Sequence, residues 1–317
     1  MDAVCQSPYA DPVLQAGETS SGKIPGMSKL VWLNGEITPL EQAKVSVADH
    51  AHLYGDGLFE GIRIYGRKVF KLDEHLDRLY SGLRYMGIPM RIAQPELKAI
   101  VLDVCNQAGN DDGYIRLNVT RGSGLGLDPK ALKGVDPNVM VMCSTLSLYP
   151  PEAYQKGLDV VTTSFRVMPA DSLDPQLKCI GRYAANIMAK AEANRQGAGE
   201  GLMLNQQGYV AECTGDNLFL VKHGVVRTPH PSSGILKGIT RATVIQIAKR
   251  EGMQVVEEFL TSVDVFDADE AFLTGTAAEV IPMVSLDARP IGDGKPGETT
   301  MCLMGRFREE TKNGTPF

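Results

Sequence analysis

Several short stretches of the chain combine residue types that could do chemistry. Lys178 follows Pro175-Gln176-Leu177 and precedes an apolar stretch, so partial desolvation of its ammonium is expected. Desolvation favours the neutral amine, which attacks carbonyl carbons and accepts protons. Taken alone, a lysine in this setting reads as a solvated side chain. In Lys237-Gly238-Ile239-Thr240-Arg241 a glycine directly precedes a helix start, with Thr240 at the cap. Amides at a helix N-terminus point outward with partial positive charge and form a cup for a phosphate. Alone, Thr240 reads as an ordinary N-cap. Leu273-Thr274-Gly275-Thr276-Ala277-Ala278-Glu279 follows an apolar strand, and its small residues let backbone amides come close to a ligand. A plain turn is the competing reading. Gly122-Ser123-Gly124-Leu125-Gly126 also follows a strand, but no apolar helix comes after it, so it is not a dinucleotide fingerprint. It reads as a flexible loop near a site and weighs against a dehydrogenase.

The elements that must position these residues are legible in outline. Leu30 to Leu33 predicts a strand entering a tight turn at Asn34-Gly35, and Gly61 to Tyr65 with Lys68 to Leu72 predicts a hairpin about Gly66-Arg67. Asp73 is a good N-cap for a helix whose Leu76, Leu79, Leu83 and Met86 share one face. A second helix is expected near Pro95, and strands over Tyr114 to Thr120 and Val139 to Ser144. Leu148 to Gly157, with Pro150-Pro151 and little periodicity, is the best linker. Beyond it the pattern predicts a strand over Asp159 to Thr163, a helix over about Ile180 to Asn194, strands around Met203, Tyr209 and Leu218, and a helix from Thr240 to Glu251 stopped by Gly252. Strands and helices are interspersed without strict alternation, which predicts a mixed α/β (α+β) architecture in two domains rather than a doubly wound sheet. The boundaries read as a disordered extension over 1–27, a small domain over 28–146, a linker over 147–157 and a larger domain over 158–317.

Composition narrows the function classes. The 317 residues are 43% hydrophobic and 22% charged, ordinary for a globular protein with a core large enough to need neither disulfides nor a structural metal. A formal net charge of -6 argues against a nucleic-acid partner and against an anionic membrane surface. The six cysteines are irregularly spaced with no C-x-x-C pair, which reads as free thiols in a reducing compartment. His50 and His52 lack further ligands at metal-binding spacing, so no metal is expected. No apolar run is long enough to span a bilayer, and the first 26 residues lack the n- and h-regions of a secretory signal, so a cytoplasmic location is expected. Gly17 to Gly26 reads as disordered, with Met27 an alternative start.

In their order and spacing these pieces resemble the fold-type IV (class IV) pyridoxal-phosphate (PLP) aminotransferases, from about residue 29 to 310. The motifs are Tyr54-Gly-Asp-Gly-Leu-Phe-Glu-Gly-Ile-Arg63, Glu74-His-Leu-Asp-Arg78-Leu79, Tyr114-Ile-Arg116, Lys178 with Tyr183, Glu212-x-x-x-x-Asn217-Leu-Phe219, Gly238-Ile-Thr-Arg241 and Thr274-Gly-Thr-Ala-Ala-Glu279. Singly weak, they are specific together. The resemblance implies a small N-terminal and a larger C-terminal domain with the site between them. It also implies that Lys178 holds PLP as a Schiff base and shuttles the proton at the substrate α-carbon as base and acid. Glu212 would partner the pyridine nitrogen and keep the ring an electron sink. Arg78, Gly238, Ile239, Thr240 and Thr276 would bind the phosphate, and Tyr183 the ring hydroxyl oxygen. Tyr54, Phe59, Tyr114 and Arg116 would line the substrate pocket, with the substrate carboxylate against Gly275-Thr276-Ala277 and Arg63 supporting through a buried ion pair.

Within the family, Phe59-Glu-Gly-Ile-Arg63, Tyr114-Ile-Arg116 and Thr120-Arg-Gly-Ser-Gly-Leu-Gly-Leu-Asp-Pro129 are most similar to branched-chain amino-acid aminotransferases. The implied reaction moves an amino group from leucine, isoleucine or valine to 2-oxoglutarate, with Arg116 on the second carboxylate. The implied partners are these small amino and 2-oxo acids and a second copy of the chain, in a homodimer or higher oligomer whose sites are completed by the Gly122 to Pro129 loop of a neighbour. A D-amino-acid aminotransferase or an aminodeoxychorismate lyase on the same scaffold is the alternative, and a non-catalytic binding protein the reading from another class. One departure stands out: Cys179-Ile-Gly-Arg182-Tyr183 carries arginine where the family pattern carries asparagine. Extra charge and bulk there put the substrate in question more than the cofactor.

Overall fold

The computed structural model of the protein describes residues 27–145 and 148–317. The expected extension over 1–27, apart from Met27, lies outside the described residues, as do residues 146 and 147 at the expected domain boundary. The first part of the chain runs β1 (Met27–Leu33), β2 (Glu36–Pro39), α1 (His50–Tyr54), β3 (Gly57–Tyr65), β4 (Lys68–Val69), α2 (Leu72–Met86), α3 (Gln94–Ala108), β5 (Gly113–Thr120) and β6 (Val139–Ser144). Left-handed residue pairs close its hairpins: Asn34 (φ 51°) with Gly35 (φ 107°), and Gly66 (φ 52°) with Arg67 (φ 60°). Two consecutive positive φ values match the twist of the flanking antiparallel strands.

The second part runs α4 (Pro151–Lys156), β7 (Leu158–Arg166), α5 (Tyr183–Arg195), β8 (Glu200–Leu204), β9 (Val210–Cys213), β10 (Asn217–Lys222), β11 (Val225–Pro229), α6 (Ile239–Arg250), β12 (Val255–Glu258), α7 (Ser262–Asp267), β13 (Glu270–Gly275), β14 (Glu279–Leu286), β15 (Arg289–Pro290), α8 (Glu298–Glu310) and β16 (Thr315–Pro316). Among the described residues these strands build two sheets. One has the order β16-β4-β3-β5-β6-β1-β2; the other has β12-β11-β10-β13-β14-β7-β8-β9, with β15 on β14. The fold is mixed helix and sheet, as the interspersed pattern predicts.

Each sheet carries its own core. Leu72, Leu76, Leu79 and Leu83 of α2 pack with Ile62, Ile115 and Val141 of the first sheet. In the second sheet β10 is buried along nearly its whole length rather than on alternate residues. Leu218 and Leu220 join the cluster that includes Val265 of α7, while Phe219 and Val221 join the one that includes Val244 of α6 and Phe307 of α8. Both faces of the strand are covered, so both faces are apolar.

Several boundaries differ from expectation for identifiable reasons. Helix α2 starts at Leu72 behind a left-handed Lys71 without a side-chain cap. Asp73 is not its N-cap, because both carboxylate oxygens take the Lys98 ammonium of α3 at 2.7 Å. The linker stretch contains a helical turn, α4, which contacts β14. Helix α5 begins at Tyr183, later than expected, since the Ile180 and Gly181 amides donate to the Gly57 and Gly55 carbonyls. The C-terminus crosses back: β16 pairs with β4 of the first sheet, so the chain after residue 158 does not stay with the second.

Candidate active site

Lys178 is held where the two sheets meet. Its segment runs beside the start of β3, with the Phe59 amide donating to the Lys178 carbonyl at 3.1 Å and Leu58 bridged to Cys179. Leu177 and Cys179 point into the core of the first sheet. Alternation along an extended segment then turns the half-buried Lys178 the other way, into a recess. The Lys178 Nζ donates to the Tyr183 hydroxyl at 3.0 Å and lies 4.6 Å from the Phe59 ring centroid.

Glu212, on β9, opens into the same recess. Glu212 is 4% exposed, and its carboxylate accepts three hydrogen bonds. Oε1 accepts from Arg182 Nη2 at 2.6 Å; Oε2 accepts from Asn217 Nδ2 at 3.0 Å and the Leu236 amide at 2.8 Å. Burial pushes the Glu212 carboxyl above its ordinary range, and Arg182 is the foremost group opposing that push. Arg182 therefore sits at the Glu212 end of the recess, so its consequence falls on the carboxylate rather than on a substrate side chain.

The opposite wall is an anion cup. Gly238, not Thr240, is the N-cap of α6, and no side chain caps that helix. A Cβ at position 238 would lie 2.2 Å from Asn217 Oδ1, which explains the glycine. The first-turn amides at Ile239 and Thr240 thus face the recess without a capping competitor. The Thr274 hydroxyl is buried without a hydrogen-bond partner among the described residues, and Gly275 and Thr276 complete the rim. A Cβ on Gly275 would come within 1.9 Å of Asp216 Oδ1, so any larger residue there must push the Asp216 carboxylate aside.

Arg78 reaches the recess from α2 but is not a surface arginine pairing with Glu74. Its Nε and Nη2 donate to the two oxygens of Glu60 at 2.8 and 2.7 Å, and Nη1 donates to the Lys237 carbonyl at 3.0 Å. Glu60 is fully buried in β3 and also accepts from His75 Nδ1 at 2.7 Å. Burial alone would raise the Glu60 carboxyl; the Arg78 charge and hydrogen bonds outweigh it and hold it at about 2. Burial lowers the His75 imidazole, so at neutral pH it is a neutral donor and Arg78 is the counter-charge.

The expected substrate residues divide. Phe59 stacks edge-on against Tyr183 at 4.7 Å and carries the Arg116 guanidinium 3.7 Å above its ring centroid. The Tyr114 hydroxyl lies in the space left open by Gly61, where a Cβ would be 1.8 Å away. These residues form one cluster around the open side of Lys178. Arg116 donates to Asn118 at 2.8 Å and so already has a neutral partner. Tyr54 stands apart: it is 43% exposed, accepts from the Gly126 amide at 3.1 Å and packs on His50. Arg63 contacts Glu279 at 3.5 Å, the ion pair expected of it, with Glu279 at the end of the Gly275-Thr276-Ala277 turn. Glu60, His75 and Asn217 are parts of the site to which the sequence reading gave no role. The available signal was a charged residue in the middle of the apolar Leu58-Phe59-Glu60-Gly61-Ile62 run.

A lysine amine and a buried carboxylate facing one recess, beside an uncapped helix N-terminus and an arginine, match the chemistry of a phosphate-bearing aldehyde cofactor with a basic ring. Such a recess suits an enzyme that handles amino groups. The Amino-transferase class IV family description matches residues 57–286. A putative branched-chain-amino-acid aminotransferase of Methanocaldococcus jannaschii is 44% identical over 280 residues, 88% of this chain and 95% of that one. The crystal structure of the Escherichia coli branched-chain amino acid aminotransferase superposes with a TM-score of 0.86 at 33% identity, over 89% of this chain and 94% of that one. The branched-chain amino acid aminotransferase of Thermobaculum terrenum, in its PLP-bound holo-form, superposes with a TM-score of 0.81 at 28% identity, over 90% and 94%. The chain belongs to the class IV aminotransferases.

Proposed function

We propose that the protein transfers the amino group of leucine, isoleucine or valine to 2-oxoglutarate with pyridoxal 5′-phosphate as cofactor. The observation that carries this reading is the opening of Lys178 and Glu212 onto one recess with the uncapped α6 N-terminus. PLP bound there would supply an aldehyde carbon for the Lys178 amine and an electron-withdrawing ring to stabilise negative charge at the substrate α-carbon. Arg78, the Ile239 and Thr240 amides and Thr276 line the recess where they would hold its phosphate, and Glu212 would partner its ring nitrogen. Tyr183 Oη, which accepts from Lys178 Nζ, also meets the ring hydroxyl oxygen. Lys178 Nζ, in hydrogen-bond contact with Tyr183, would be the group that accepts and returns the substrate α-carbon proton.

The substrate carboxylate lies against Gly275-Thr276-Ala277. Phe59 and Tyr114 offer an apolar wall to a branched side chain, and Arg116 faces the second carboxylate of 2-oxoglutarate. That wall suits the substrates that the names of the similar enzymes specify. A transamination panel with leucine, isoleucine, valine, glutamate, D-alanine and aminodeoxychorismate tests it. The three branched-chain L-amino acids are expected to react fastest with 2-oxoglutarate. Preference for D-alanine, or lyase turnover of aminodeoxychorismate, replaces the reading.

We propose further that two copies assemble and that the 122–129 loop completes the neighbour's site. Leu125 and Leu127, 74% and 80% exposed, stand beside exposed Val47 and Tyr54, an apolar set that a partner would cover. Light scattering showing a stable, active monomer removes this assembly.

A further inference from the structure

Arg182 ties together the two parts of the chain that carry the site's reactive groups. One arm, Nη1, donates to the Pro175 carbonyl, in the segment that leads to Lys178. The other, Nη2, donates to Glu212 Oε1 at 2.6 Å. The arginine is 3% exposed and Glu212 4%, so neither charge is solvated, and the guanidinium carbon lies 5.3 Å from the Tyr183 ring centroid. A guanidinium delivers two such bonds from one rigid plane; a shorter amide side chain would not bring a charge.

We propose that Arg182 is a positioning residue that supplies Glu212 with its counter-charge in the cofactor-free site and fixes the Lys178 segment against strand β9. The proposal rests on the PLP reading, which gives Glu212 its task. A carboxylate sealed from water becomes neutral unless a cation or several donors compensate it. The ionisable groups facing Glu212 are Arg182, Lys178 and Arg78 on the positive side, and Asp216 and the Cys213 thiol on the other. Arg182 is the one in direct contact. Asp216 works against ionisation, being itself pushed up to about 7, first by burial and then by Glu200. Arg78 is already paired with Glu60, which leaves Arg182 as the fixed cation at this carboxylate. With Arg182 present, Glu212 would meet the cofactor as an anion; without it, as a neutral carboxyl.

Infrared difference spectra of the full-length, cofactor-free protein test this directly, with Glu212→Gln as the subtraction that isolates Glu212. At pH 7 the wild type is expected to show the stretch of an ionised Glu212 carboxylate, and Arg182→Met that of a protonated carboxyl. Arg182→Lys is expected to restore the ionised form while losing the bond to Pro175. Calorimetry of PLP binding in two buffers of different ionisation enthalpy should then show wild type and Arg182→Lys taking up about one more proton than Arg182→Met, the proton that an already neutral Glu212 no longer needs. An ionised Glu212 in Arg182→Met, or equal proton counts, overturns the proposal. So does a protonated Glu212 in the wild type, which needs no Arg182 variant to fold. Failure of the wild type to bind PLP with Glu212 ionised defeats the cofactor reading and leaves the role of Arg182 standing.

Discussion

Glu60→Gln isolates the ion pair that aims Arg78 at the recess. Glu60 is fully buried, and its carboxyl is held at about 2 against an ordinary 4.5, chiefly because Arg78 outweighs the cost of burial. At about 1.4 kcal/mol per pH unit, that depression contributes about 3 kcal/mol to folding. Glutamine preserves the shape, removes the charge and keeps one acceptor oxygen, so Arg78 loses its counter-charge and one of its two bonds to residue 60 while keeping that to the Lys237 carbonyl. The expected loss at pH 7 is about 3 kcal/mol in urea unfolding, in keeping with breaking one side of a buried pair. The sign with pH follows from the direction of the shift. A carboxylate depressed in the folded state stabilises fully above its unfolded value, and that contribution disappears as pH falls through the folded value. The gap between wild type and variant should therefore be constant above pH 4.5 and narrow between pH 4.5 and about 2. Phosphate affinity should fall with it, read as weaker PLP binding. A loss below about 1 kcal/mol at pH 7, or a gap that does not narrow in acid, refutes the assignment of this stability to the Glu60–Arg78 pair.

Two further changes probe the cup and the lysine. Gly238→Ala puts a methyl 2.2 Å from Asn217 Oδ1, so Asn217 must shift and loosen its bond to Glu212. PLP dissociation constants measured by absorbance titration should rise by about ten-fold or more, equivalent to ~1.4 kcal/mol; unchanged affinity argues against this wall as the binding surface. Tyr183→Phe removes the 3.0 Å contact to Lys178 Nζ while keeping the ring against Phe59. Steady-state kinetics should show kcat/KM down by about ten- to one-hundred-fold, the worth of one hydrogen bond to a charged group, with unfolding stability nearly unchanged.

Legibility in the sequence followed the range of the interactions. The Gly238–Thr240 and Thr274–Thr276 segments stand out because a small-residue run is local information, whereas Lys178 alone reads as a solvated side chain and Glu212 gains its role only through the order and spacing of the family motifs. Strands β3, β5 and β6 were readable for the same reason: their period and turn residues are contiguous. The partners were not. Glu60 and Arg78 are separated by 18 positions and Arg182 and Glu212 by 30, and only the packed fold decides that they meet. The start of α5 escaped because pairing of residues 178–181 with 55–59 overrides the helical pattern there. Tyr54 carried a motif position yet lies with His50 and Gly126 rather than with Phe59 and Tyr114, a placement set by a loop contact 72 residues away.

One amine, on Lys178, is expected to bond the cofactor, and every role proposed for the recess depends on it. Borohydride reduction of the cofactor-loaded protein, followed by peptide mass spectrometry, tests it. The yellow colour should bleach and a single peptide, the one containing Lys178, should carry the added pyridoxyl phosphate mass. Label on any other lysine, or no label in protein that demonstrably holds the cofactor, contradicts it.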